Sequence, residues 1–165
     1  MHYMSKTLDK LDLALLNLLQ QNNVATAEAL AQSVPLSPSA ITRRVRRLRD
    51  DGMIARDVSI LAPALTEHLL RALIHIQLKE HALQNGLAAF RERLRGADEV
   101  QYCAEITGPF DLLAVIVTRD MATFNAFADT MLEAELAVSR YETSFVRREI
   151  KNAPVVRLEE DDLRR

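Results

Sequence analysis

A single cysteine in 165 residues excludes an internal disulfide framework, and with it the small secreted scaffolds that depend on one. That residue, Cys103, falls on an apparent strand and reads as a small buried apolar side chain rather than a nucleophile. Glycine is scarce too. Four glycines leave no glycine-rich phosphate loop, and no serine stands in a nucleophile-elbow context. The histidines His2, His68, His75 and His81 are scattered, with no pair at metal-ligand spacing beside a cysteine or carboxylate, and His75 reads as a sheet-surface residue. Apolar stretches break off well short of the roughly 18 residues a membrane-spanning helix needs. The start, Met1 to Lys10, lacks a signal peptide's apolar core, so a cytoplasmic protein is expected, with no membrane partner, metal or cofactor. Together these absences weigh against an enzyme.

What remains is an ordinary soluble composition, 48% apolar and 27% charged, in a chain long enough for two small domains. At this length folding buries roughly 70% of the unfolded surface, so no staple is required. Net charge is −2, but its distribution is uneven. Residues 1–62 carry eight Lys/Arg against six Asp/Glu, whereas residues 63–165 carry thirteen against seventeen. Five of the seven residues in Arg43-Arg44-Val45-Arg46-Arg47-Leu48-Arg49 are arginine, undiluted by any acid.

Two domains are expected, 1–62 and 63–165. In the first, Leu8, Leu11, Leu15, Leu18 and Leu19 recur at helical spacing. A short second helix follows from Ala27 to Ser33, stopped by Pro35. Ser37-Pro38 then supplies an N-cap and a first-turn proline for a third helix, which Gly52 ends. Ile54 to Leu61 alternates weakly, as a short strand or wing.

In the second domain the period switches to two. Ala72, Ile74, Ile76 and Leu78 share one strand face, as do Val100, Tyr102, Ala104 and Ile106. Leu83, Leu87, Phe90 and Leu94 mark a helix closed by Gly96, with Gly86 inside it. Leu112–Thr118 reads as a buried central strand, Met121 to Met131 as a helix, and Val138 to Lys151 as a long last strand. This is an α+β chain: a three-helix helix-turn-helix domain followed by a ferredoxin-like βαββαβ domain with both helices on one face. The uncovered face of such a sheet calls for a partner, and oligomerisation is expected.

Within the third helix, Ile41, Val45 and Leu48 fall within about 60° of one another and must face the core. That points Ser39, Arg43, Arg46 and Asp50 outward, with Thr42 and Arg47 flanking. A basic second helix of a helix-turn-helix belongs in the major groove of duplex DNA. Arginine's fork suits guanine edges and phosphates alike, and small hydroxyl residues at Ser37 and Ser39 allow close approach. A run of arginines that only solvates its own helix is the competing reading. The acidic tail Glu159 to Asp162 reads as a frayed, solvated end.

The stretch Leu36 to Leu48 with Gly52-Met53-Ile54 resembles the recognition-helix signature of the Lrp/AsnC family of transcription regulators. Leu8-Asp9-Lys10-Leu11-Asp12 resembles that family's first helix, Thr107 to Asp111 its sensing-domain turn, and Thr143 through Lys151 its closing strand. The resemblance spans about residues 8–151. It implies a winged or plain helix-turn-helix whose DNA contacts come from Ser37, Ser39, Thr42, Arg43, Arg44, Arg46 and Arg47. It further implies sheet-mediated homodimers assembling to tetramers or octamers, and a small-molecule effector, typically an amino acid, held near Gly108, Pro109, Phe110 and Asp111 with Thr143 and Ser144 contributing. For Asp111 two roles stay open, acceptor for a ligand ammonium or a turn residue bonded to backbone. The chain departs from the family pattern at Pro35, Thr66-Glu67, Pro109 and Ala137. The alternatives are a haem-pathway decarboxylase-like enzyme of the same architecture, for which five helix arginines have no use, and a metabolite-sensing oligomer that acts through protein partners only.

Overall fold

The computed structural model describes residues 8–79 and 86–164, and the chain divides into two compact units. The first comprises residues up to Ile60 together with 151–165; the second is Leu61–Ile150. Residues 151–165, assigned from sequence to the second domain, therefore return to the first. His2, Leu83 and His81 lie outside the described residues.

In the first unit, α1 (Lys10–Gln21), α2 (Ala27–Leu30) and α3 (Pro38–Asp50) enclose a small core of Leu15, Leu19, Leu30, Val34, Ile41 and Val45. Thr26 caps α2 by accepting from the Ala29 amide at 3.2 Å, and Ser37 caps α3 by accepting from Ala40 at 3.3 Å. Helix α2 is shorter than its apolar spacing suggests. Gln32 and Ser33 donate to Ala29 and Leu30 in tighter turns that bring Val34 into the core ahead of Pro35. Gly52, at φ 74°, lets the chain reverse so that the Met53 amide reaches the Leu48 carbonyl at 2.9 Å. Residues 55–61 are exposed and form no strand. The expected wing hydrogen bonds are absent among the described residues.

The second unit is a four-stranded antiparallel sheet in the order β2-β3-β1-β4, built from β1 (Leu70–Leu78), β2 (Val100–Glu105), β3 (Leu112–Thr118) and β4 (Val138–Phe145). Helices α4 (Leu87–Gly96) and α5 (Met121–Ala128) cover one face. Their Phe90, Leu94, Phe124 and Phe127 pack with Ala72, Ile74, Ile76, Ala114 and Ile116. The opposite face shows Leu73, His75 and Gln77 from β1 beside Leu113, Val115 and Val117 from β3, all half-buried, and Tyr102 at 56% exposure.

Four expectations change in this unit. A register shift between Val100 and Tyr102 places Val100 opposite Ile116 but Tyr102 opposite Val115, so the two residues face different sides of the sheet. Cys103, opposite Ala114 on the edge strand β2, is exposed rather than buried. Gly86 occupies the N-cap of α4 instead of its interior. Strand β4 ends at Phe145, the last residue paired with β1, opposite Ala72; the Val146 amide still donates to the Arg71 carbonyl at 2.8 Å, and residues 151–159 leave without regular structure.

Candidate functional site

Helix α3 has two chemically different flanks. Its inner flank is held by the start of α1, where Asp9 and Asp12 form a reciprocal capping box: Asp9 accepts from the Asp12 amide at 2.8 Å and Asp12 accepts from the Asp9 amide at 3.1 Å. The Asp12 carboxylate has no exposed surface, yet it is fully engaged. Arg44 Nη1 donates to its Oδ1 at 2.8 Å and to Asp9 Oδ2 at 2.7 Å, while Arg47 Nη2 donates to Asp12 Oδ2 at 2.5 Å. A buried carboxylate needs this many donors to remain charged at low cost. Although desolvation pushes Asp9 upward, the Asp12 amide and the Arg44 guanidinium hold its carboxyl below the usual value, and both carboxylates keep Arg44 firmly cationic.

The outer flank is free. Ser39, Thr42, Arg43 and Arg46 are exposed, and Arg46, at 85% side-chain exposure, meets Asp50 at 3.8 Å. Thr42 donates to the Pro38 carbonyl at 3.0 Å, and the Ser37 and Ser39 hydroxyls lie 3.2 Å apart. Arg49 is tied to Asp57 at 3.2 Å. The arginine run is thus sorted. Arg43 and Arg46 point away from the core, Arg44 points to α1, and Arg47, 44% exposed, is split between the two. The inward turn of Arg44 departs from the DNA contact expected of it. Its cause is Asp12, which the periodicity of α1 did not single out. The Asp-x-x-Asp pattern at the start of that helix was the available signal.

In the second unit, the Gly108–Asp111 turn is organised by backbone. Gly108 adopts φ 129°, open space surrounds its Cα, and Asp111 joins both central strands. The Asp111 amide donates to the Ile76 carbonyl at 2.9 Å, its carbonyl accepts from Ile106 at 2.9 Å, and its Oδ2 accepts from the Leu78 amide at 2.7 Å. That last bond serves the point where the β1–β4 register shifts, at Gln77/Leu78. Asp111 therefore binds backbone, though of β1 rather than of its own turn.

Thr143 and Ser144 are not gathered at this turn. Strand β1 separates β3 from β4, Thr143 pairs opposite Ile74 with its Oγ1 buried and unbonded, and Ser144 is exposed opposite Leu73. What β4 does bring to the turn is Arg140, whose guanidinium carbon lies 5.1 Å from the Phe110 ring centre. The His75 ring stands 5.3 Å from Phe110, and Arg140 also donates to Gln77 at 2.8 Å. His75 and Arg140 were invisible as a pair in the sequence because only the register of three strands joins them.

Residues 8–55 match a winged helix-turn-helix DNA-binding domain and residues 71–156 match the Lrp/AsnC ligand binding domain. The chain belongs to the Lrp/AsnC family of transcription regulators. An HTH-type transcriptional regulator of Haemophilus influenzae is 31% identical over 88% of this chain and 86% of its own length. The leucine-responsive regulatory protein of the same organism is 30% identical over 89% and 88% respectively. A transcriptional regulator from Neisseria meningitidis, solved as a complex with L-Met, superposes with a TM-score of 0.79 at 32% identity, covering 95% of this chain and 99% of that one. The Lrp/AsnC fold explains the sheet order found here and the helix-turn-helix ahead of it. Among the described residues, no helix of this family member is long and apolar enough to cross a membrane.

Proposed function

We propose that this Lrp/AsnC regulator is a non-enzymatic homodimer that lays α3 in the major groove of duplex DNA. The observation that carries the reading is the division of labour on α3: Arg43 and Arg46 are exposed on one flank while Asp12 grips Arg44 and Arg47 on the other. Ser37, Ser39 and Thr42 sit at the helix start, where small hydroxyl side chains admit the sugar-phosphate backbone. Arg43 and Arg46 supply base or phosphate contacts, the exposed part of Arg47 adds a phosphate contact, and Arg44 positions the helix. The second unit takes an amino acid or related metabolite near Gly108, Pro109, Phe110 and Asp111, with Arg140 and Phe110 offering a carboxylate partner and an apolar surface. Like the L-Met complex of its Neisseria relative, such a ligand is a small zwitterion. The open sheet face joins two protomers, and further pairing builds tetramers or octamers.

Binding of duplexes selected from a random pool tests the reading. Arg43→Ala/Arg46→Ala protein is expected to lose binding while keeping its thermal stability, and a flatter salt dependence, by about 0.9 per phosphate contact removed, identifies backbone contacts. Parent-like affinity in the double variant overturns the assignment.

A further inference from the structure

The C-terminal segment has no part in the DNA or sensing reading, yet it is held by a specific arrangement. Two carboxamides one turn apart on α1 grip its main chain at alternate residues. Asn17 Nδ2 donates to the Leu158 carbonyl at 2.9 Å and Asn17 Oδ1 accepts from the Leu158 amide at 2.9 Å. Gln20 Nε2 donates to the Val156 carbonyl at 2.9 Å and Gln20 Oε1 accepts from the Val156 amide at 2.8 Å. Each side chain presents one donor and one acceptor, as a neighbouring β-strand would, so an extended chain is recognised through its backbone. Lys10 pairs with Glu160 at 2.7 Å beyond this grip, and Leu158 lines a groove with Leu13 and Ala14.

The face of α1 that holds this segment lies beside the end that holds α3. Asp9 and Asp12 fix Arg44 and Arg47, and Asn17 and Gln20 fix residues 156 and 158, on one 12-residue helix. Helices this short are marginal in isolation and take their stability from what they pack against. We infer that residues 154–158 form a strap whose seating on α1 sets the position of the recognition helix, and that unseating it weakens DNA binding. The chain reaches the strap from β4 through residues 146–153, so the seated strap, held to α1 by hydrogen bonds, is a second connection from the sensing sheet to α1 besides the chain near Leu61. The inference rests on α3 being the DNA helix, and its test separates the two.

Two full-length variants attack the strap from opposite sides: Asn17→Ala/Gln20→Ala removes the grip, and Val156→Pro removes one amide donor from the strap without touching α1. In both, amide hydrogen exchange across residues 10–21 is expected to accelerate at least about tenfold, since several hydrogen bonds are lost, with β1 and β3 unchanged. Affinity for a pool-selected duplex is expected to fall at least about fivefold in both, the scale of a coupling between two sites. Unchanged exchange in α1, or faster exchange with parent-like DNA affinity in both variants, overturns the inference. Should the parent itself fail to bind duplex DNA, the DNA reading fails, and the exchange result alone decides whether the strap holds α1.

Discussion

Asp12 accepts three hydrogen bonds with no surface of its own, and it divides the arginines of α3 into those that hold and those that are offered. Removing the carboxylate charge with Asp12→Asn leaves two guanidinium groups short of an acceptor. Because Arg44 and Arg47 are 24% and 44% exposed, they can partly rehydrate, and the expected loss is about 2–4 kcal/mol in urea unfolding rather than the full cost of a sealed charge. Arg43→Ala makes the opposite prediction, a stability change within about 0.5 kcal/mol and a clear loss of DNA affinity. Asp9 adds a pH signature. Its carboxyl is held below the ordinary value of 3.8, so its stabilisation is present above that pH and is lost as the pH falls through the lower folded value. Urea midpoints measured from pH 6 down to about pH 2 should therefore lose Asp9's contribution in the parent only below pH 3.8, and Asp9→Asn should flatten that part of the fall. The outward place of Arg43 follows from helix spacing, but the role of Asp12 does not show in hydrophobic periodicity, which is blind to a polar residue that is buried.

Strands and helices were legible wherever one periodicity ran unbroken. Ala72, Ile74, Ile76 and Leu78 line the helix-covered face as their alternation implies, and Ser37-Pro38 starts α3 where the cap and the proline place it. Failures came where the pattern was interrupted by one residue or where the pairing stopped. The β2 bulge reverses every side chain after Gln101, and nothing local encodes it. The last strand, read from sequence as far as Lys151, pairs with β1 only to Phe145. Helix α5 gives way to a π-helical turn, Asp129–Glu133, that buries Leu132 and leaves Met131 half-buried, an i+5 step that a 3.6-residue reading cannot anticipate. Where the stop is local, the prediction is sharp. Gly52 ends α3 at φ 74°, and Gly52→Ala should cost about 1 kcal/mol in thermal unfolding by straining that position. An unchanged or raised melting temperature would show that the chain reverses there by another route.

At the scale of the whole molecule, the proposed dimer rests on the open sheet face. Leu73, Val115 and Val117 sit mid-sheet on the side that α4 and α5 leave uncovered, and Tyr102 stands exposed at the β2 edge. In the proposed dimer a second copy covers this face, and the symmetric pair presents two α3 helices to half-sites roughly 10 bp, or multiples of it, apart. The dimer then supplies affinity that no single helix has, because the second helix binds at the high effective concentration set by the first. Val115→Arg places a charge at the centre of that face without entering either core. The expected outcome is a monomer by sedimentation, with the secondary structure of the parent by circular dichroism. Its affinity for a two-half-site duplex should fall about 10²–10⁴-fold while its affinity for a single half-site stays at the parent's value. A monomer that still binds the paired site tightly would mean that each α3 works alone and that the sheet face serves another partner.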